Sequence, residues 1–152
     1  MKFRIDPTLY GTVSGQRERE WQLALTELNY DVDGEPPTIV ICRRSDGGVD
    51  VRIQEANTET SISLTYELLR RHYRDYRRVI EQLVRSTTTG TRQMETLDYA
   101  KKLVHDEAGE TVLDALAEHA DIDHAMARKL FTLFFLLSND LPEAMVTRHR
   151  HG

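Results

Sequence analysis

Cysteine is nearly absent from this sequence, and long hydrophobic runs are missing altogether. Cys42 is the only cysteine, so an intrachain disulfide is excluded, and its place in an apolar run predicts a small buried side chain in a reducing compartment. The longest apolar run, residues 130–137, is far shorter than the roughly 20 residues that span a bilayer. The N-terminus has no apolar signal segment. We therefore expect a cytoplasmic protein with no membrane partner.

Known signatures of nucleotide and catalytic sites are absent as well. The sequence contains no P-loop, dinucleotide fingerprint, nucleophile elbow or paired-cysteine metal site, so no cofactor is expected. Its net charge of −5 argues against nucleic acid as a partner, because proteins that bind nucleic acid usually carry a basic domain. A length of 152 residues fits a single domain.

The pattern of the first half predicts a small antiparallel sheet with one helix. Apolar and polar residues alternate at residues 2–5, 49–55 and about 61–64, which predicts strands there, and the run at residues 38–44 predicts a fourth strand on the other side of a glycine turn. Gly47 and Gly48 suit a tight hairpin between the middle two. Residues 14–29 have helical periodicity, with Ser14 as N-cap and Trp21 on the apolar face. We assign residues 1–64 to this sheet-plus-helix layer.

Helical periodicity dominates from residue 65 and predicts a bundle of about four helices over residues 65–140. The expected helices cover residues 65–86, 91–104, a short segment near 112–116, and the apolar run. Asp121 or Asp123 would cap the last of them. That helix is apolar on every side apart from Thr132, so it must be surrounded. Residues 141–152 resemble a frayed tail. The expected fold class is α+β.

The second half resembles a bacterial uncharacterised protein family, number 0262. The likeness rests on the turn-like His105-Asp-Glu and on the segment Ala-Arg-Lys-Leu-Phe-Thr-Leu at residues 127–133, and it extends over residues 64–133. Arg78 and Ala108 depart from the family pattern. The resemblance implies the α+β layout and draws attention to His105 and Glu107. It implies no activity, since the family has none assigned.

The segment around His105 is the strongest candidate for chemistry. His105 precedes Glu107 at a predicted turn between two helices, with Asp98 two helical turns earlier and Arg128 able to approach from the last helix. An imidazole beside carboxylates can act as a general base or as a ligand to a metal ion. The alternative is helix-end electrostatics, which places the same residue types at such a turn without any function.

Two further clusters are weaker candidates. His119, Asp121, Asp123 and His124 supply enough ligand types for a divalent metal ion, but their spacing matches no defined metal pattern, and a capping loop explains them. Arg70, Arg74 and Arg78 follow one another at i, i+4 spacing and could bind phosphate groups. Interspersed acids favour a solvated face instead.

These observations favour a non-enzymatic interaction protein, and we expect a homo-oligomer that self-associates through its helical half. Its partner would be a second copy of itself or another protein. The alternative is a small hydrolase or metal-assisted enzyme that uses His105 and Glu107. A bound ion or a concave pocket beside His105 would favour the enzyme, and a convex turn would argue against it.

Self-association is the first testable prediction. Residues 130–137 carry more apolar surface than the flanking predicted helices can readily cover, so a second copy is expected to cover the remainder. Light scattering across a wide concentration range measures the particle mass. A constant value of 17.6 kDa would contradict the prediction.

Overall fold

The structure is a computed structural model that describes residues 1–30, 32–85, 91–138 and 141–146. Its elements confirm the α+β class: a sheet in the first half and a helical second half. In chain order they are β1 (Lys2–Ile5), α1 (Gly15–Asn29), β2 (Thr38–Arg43), β3 (Val49–Glu55), β4 (Thr58–Leu64), α2 (Tyr66–Arg85), α3 (Thr91–Leu116) and α4 (His124–Leu137), with short 3₁₀ turns at Pro7–Leu9 and Glu143–Met145. No helix in the described ranges is long and apolar enough to cross a membrane.

The four strands form one sheet in the order β1-β2-β3-β4, with β1 at one edge. The hairpin of β2 and β3 is antiparallel, with Ile41 opposite Val51. Its turn needs glycine twice: Gly47 has a φ of +95°, and a Cβ on Gly48 would come within 2.3 Å of the Leu64 carbonyl oxygen. The Asp46 carboxylate accepts a hydrogen bond from the Gly48 amide at 2.8 Å and closes the turn.

The prediction of a wholly antiparallel sheet is wrong for one pair, because β1 runs parallel to β2. Parallel neighbours need a crossover connection, and α1 provides it between the two strands. Ser14 caps α1 as predicted, its hydroxyl accepting from the Arg17 amide. The crossover places α1 beside the helical half, where the Trp21 indole donates to the Leu136 carbonyl at 3.2 Å.

The described part of the second half contains three helices rather than about four. The break predicted at residues 105–109 is absent, and α3 continues through it. Gly109 is buried within that helix, not past its end: a Cβ there would lie 2.7 Å from the Arg128 Cγ. The glycine is therefore explained by the close approach of α4, which outweighs its helix-propensity cost of about 1 kcal/mol.

The apolar helix α4 lies at the centre of the core. Its side chains from Leu130 to Leu137 are buried apart from the half-buried Thr132, and Asp123 caps the helix by accepting from the Met126 amide at 2.8 Å. Rings of Tyr73 and Tyr76 on α2 pack on Phe131 and Phe135 at centroid distances of 4.8 to 5.8 Å. The requirement that this helix be surrounded is met within one chain.

The tail after α4 is partly packed rather than frayed. Leu141 and Val146 are buried, and Arg17 on α1 ties this segment to the first half through Glu143 at 2.6 Å and the Leu141 carbonyl at 2.7 Å. Residues 147–152, where the frayed tail was also predicted, lie outside the described residues.

Burial of α4 predicts that Phe134→Asp abolishes soluble folding. Phe134 is fully buried, so an unpaired carboxylate there would cost more than about 3 kcal/mol. Expression yield and thermal melting are the measurements, with Ala125→Asp as control, because Ala125 is exposed on the same helix. Soluble Phe134→Asp protein with an unchanged melting temperature would contradict this placement of α4.

Candidate functional site

An open cleft with a volume of about 300 Å³ lies between α1, α3 and α4, and His105 is one of the residues that line it. The cleft is the kind of concave surface beside His105 that would favour the enzyme. Its lining combines small, charged and hydroxyl side chains: Ala24, Glu27, His105, Ala125, Arg128, Lys129 and Thr132.

Helical spacing explains why these residues share one space. Ala24 and Glu27 are three residues apart on α1, and therefore lie on one face of it. On α4, Ala125, Arg128, Lys129 and Thr132 follow the i, i+3, i+4, i+7 pattern of a single face. The facing walls thus carry a carboxylate on α1 and two cations on α4.

His105 is held at the cleft by a hydroxyl group and aromatic rings. Its Nε2 lies 3.0 Å from the Thr132 Oγ1, and its ring packs edge-on against Tyr76 and Phe131 at centroid distances of 4.6 and 6.1 Å. Burial raises the pKa of Tyr76 far above its ordinary value, so the neighbouring phenol stays neutral. The imidazole is therefore fixed in orientation by the two helices that carry His105 and Thr132.

Arg128 lies between the cleft and the interior of α3. Its Nε is 3.3 Å from the Asp106 Oδ1, while the Asp106 carbonyl is 3.1 Å from the His124 Nε2. Close packing on Gly109 fixes the aliphatic part of the arginine side chain. His105 and Arg128 thus meet at one site, as the sequence-based hypothesis proposed.

The carboxylates in that hypothesis lie elsewhere. Glu107 is exposed and pairs with Arg71 on α2 at 3.7 Å, because residues two apart on a helix point in different directions. Asp98 is exposed on α3 and is not among the residues that line the cleft. Glu27 from α1 is the carboxylate at the cleft, and sequence reasoning missed it.

The arginine stripe lies on the exposed face of α2. Arg70 is 3.8 Å from Glu67 and Arg74 is 3.4 Å from Asp75, whereas Arg78 is exposed on the same face. The first two distances fit the interpretation of this stripe as a solvated face with local acid partners. Such surface ion pairs contribute little to the stability of the fold.

The residues of the candidate metal cluster have other roles in the structure. Asp123 caps α4, His124 contacts the Asp106 carbonyl, and His119 and Asp121 are exposed. Within the described part of the chain, no three histidine, cysteine or acidic side chains are grouped so as to hold a metal ion.

A second histidine–threonine pair was not predicted. His72 on α2 is buried, its Nε2 is 2.8 Å from the Thr111 Oγ1, and its ring meets Phe131 edge-on at 6.2 Å. A signal for it existed, because His72 lies within the apolar stripe of α2. Thr132 gave a similar signal as the lone polar residue of the apolar run.

Comparisons with known proteins agree with the resemblance seen in the sequence. The model of an uncharacterised protein family (UPF0262) matches residues 1–139. UPF0262 proteins of Methylobacterium radiotolerans and Sphingopyxis alaskensis are 39% and 38% identical over 69 residues, which is 45% of this chain and 43% and 42% of theirs. One from Rhizobium meliloti is 33% identical over 96 residues, 61% of this chain and 54% of its own. The chain thus spans about half the length of these relatives or less, and no solved structure matches it significantly.

The buried His72 predicts a pH-dependent stability. Burial, and then the charge of Arg71, lowers the pKa of His72 below its ordinary value of 6.5. The unfolded chain therefore binds this proton more readily, so the free energy of unfolding should fall as pH drops through and below 6.5. Denaturant unfolding at pH 7.5 and 5 measures the free energy of unfolding of the wild type and of His72→Gln. We expect the wild type to lose more of it at pH 5 than the variant does, and equal losses in both proteins would contradict the prediction.

Proposed function

Because the chain belongs to the uncharacterised protein family (UPF0262), whose name assigns no activity, we propose from its geometry that it is a non-enzymatic protein that binds a small carboxylate-bearing molecule in the cleft between α1 and α4. The observation that carries the proposal is the convergence of Arg128, Lys129 and His105 on that cleft. Ammonium and guanidinium groups form strong charge-assisted hydrogen bonds with carboxylates.

The size and polarity of the cleft support a small ligand. A volume of about 300 Å³ is at the lower end of the range for ligand sites. Arg128 shares its charge with Asp106, which leaves Lys129 as the cation best able to meet a ligand. The Thr132 hydroxyl adds an uncharged polar group to the same wall.

The alternative is the small hydrolase suggested by the sequence. The concave cleft beside His105 favours it, as does the contact of 3.0 Å between His105 and Thr132, since a base within reach of a hydroxyl group is one way to activate a nucleophile. Against it, Glu107 is paired with Arg71 and does not orient the imidazole. We therefore place binding ahead of catalysis.

Self-association and a cytoplasmic location remain part of the proposal. Since the apolar run is covered within the chain, another surface of the helical half must mediate any self-association. Tyr99 and Leu103 lie one turn apart on α3 and are 64% and 45% exposed, which makes them the surface to test. In light scattering, Tyr99→Glu should then lower the particle mass.

The proposal predicts that Lys129→Gln weakens carboxylate binding. Removal of one partly exposed cation should lower the affinity for acetate by up to about fivefold, because such pairs contribute up to about 1 kcal/mol. NMR titration of the amides near Thr132 measures the affinity, with Lys102→Gln as the matched control on the exposed face of α3. Absence of acetate-dependent shifts in the wild-type cleft would contradict the proposal.

A further inference from the structure

We infer that the cleft selects a zwitterionic ligand of the amino-acid class, whose ammonium group meets Glu27 and whose carboxylate meets Lys129 and Arg128. This inference rests on the proposed function and deepens it. A carboxylate alone would explain the two cations on α4, but it would leave the acid on the opposite wall unexplained.

Glu27 and Lys129 are not committed to other partners. Within the described ranges, neither side chain has an opposite charge within 4.0 Å, although both line the same cleft. They are therefore also too far apart to pair with each other. Opposite charges on facing walls suit a molecule that carries both charges and fits between them.

The small side chains beside these charges keep the space between the helices open. Ala24 lies next to Glu27 on α1, and Ala125 lies one turn before Lys129 on α4. Larger side chains at these two positions would extend into the cleft. A short amino acid therefore suits the volume of about 300 Å³.

The charge of Glu27 also discriminates among anions. A simple carboxylate or a phosphate is attracted by Lys129 and repelled by Glu27, whereas a zwitterion is attracted by both. Glu27 is thus a specificity determinant. Its removal should weaken the binding of zwitterions and leave the binding of simple anions unchanged or tighter.

Matched ligand pairs test this directly. Glycine, β-alanine and 4-aminobutyrate are each compared by NMR titration with acetate, propionate and butyrate, which differ from them only in lacking the amine. We expect at least one amino acid to bind about fivefold more tightly than its matched carboxylate, the size of one partly exposed ion pair. Glu27→Gln should abolish that difference, while Glu110→Gln, on the exposed surface of α3, should preserve it.

The outcomes separate the inference from the proposed function. If each amino acid binds no more tightly than its carboxylate, with carboxylate binding still sensitive to Lys129→Gln, the inference is wrong and the proposed function stands. If no ligand of either series shifts the cleft amides, both are wrong. Glu27→Ala serves as a second variant, and circular dichroism confirms that both variants fold, as expected for an exposed residue.

Discussion

The need to enclose α4 determines the arrangement of the whole molecule. Residues 130–137 of α4 are apolar apart from Thr132, so this part of the helix cannot lie at the surface, and α1, α2, α3 and the sheet must each cover part of it. The C-terminal carbonyl groups of α4 also contact the rest of the fold. The Trp21 indole and the Arg43 guanidinium donate hydrogen bonds to the Leu136 and Leu137 carbonyls at 3.2 Å. These two contacts satisfy acceptors that the last turn of any helix leaves free.

Local features could be predicted from the sequence, and features that depend on distant contacts could not. Strand alternation, the Ser14 and Asp123 caps and the hairpin glycines all follow from neighbouring residues. Gly109 was misread because a glycine beside acids resembles a helix end, whereas the actual reason for it is contact with Arg128, which is remote in sequence. The parallel pairing of β1 was missed although α1 was correctly placed between the strands.

The residues of the candidate site also fall into two groups, those that could be predicted from the sequence and those that could not. His105 and Arg128 could be selected from the sequence because an imidazole near acids and an arginine on a nearby helix are recognisable types. Glu27 and Lys129 could not, since each resembles an ordinary solvated helix charge until α1 and α4 are brought face to face. That juxtaposition is produced by the crossover of α1, not by any motif.

The crossover has a consequence for how the cleft and the fold are coupled. One wall comes from the sheet-bearing half and the others from the helical half, so the site exists only while the two halves are docked. A molecule that fills it binds the folded chain and not the unfolded one, and mass action then raises the melting temperature with ligand concentration. Thermal shift across a collection of small metabolites is therefore a direct way to search for the natural occupant.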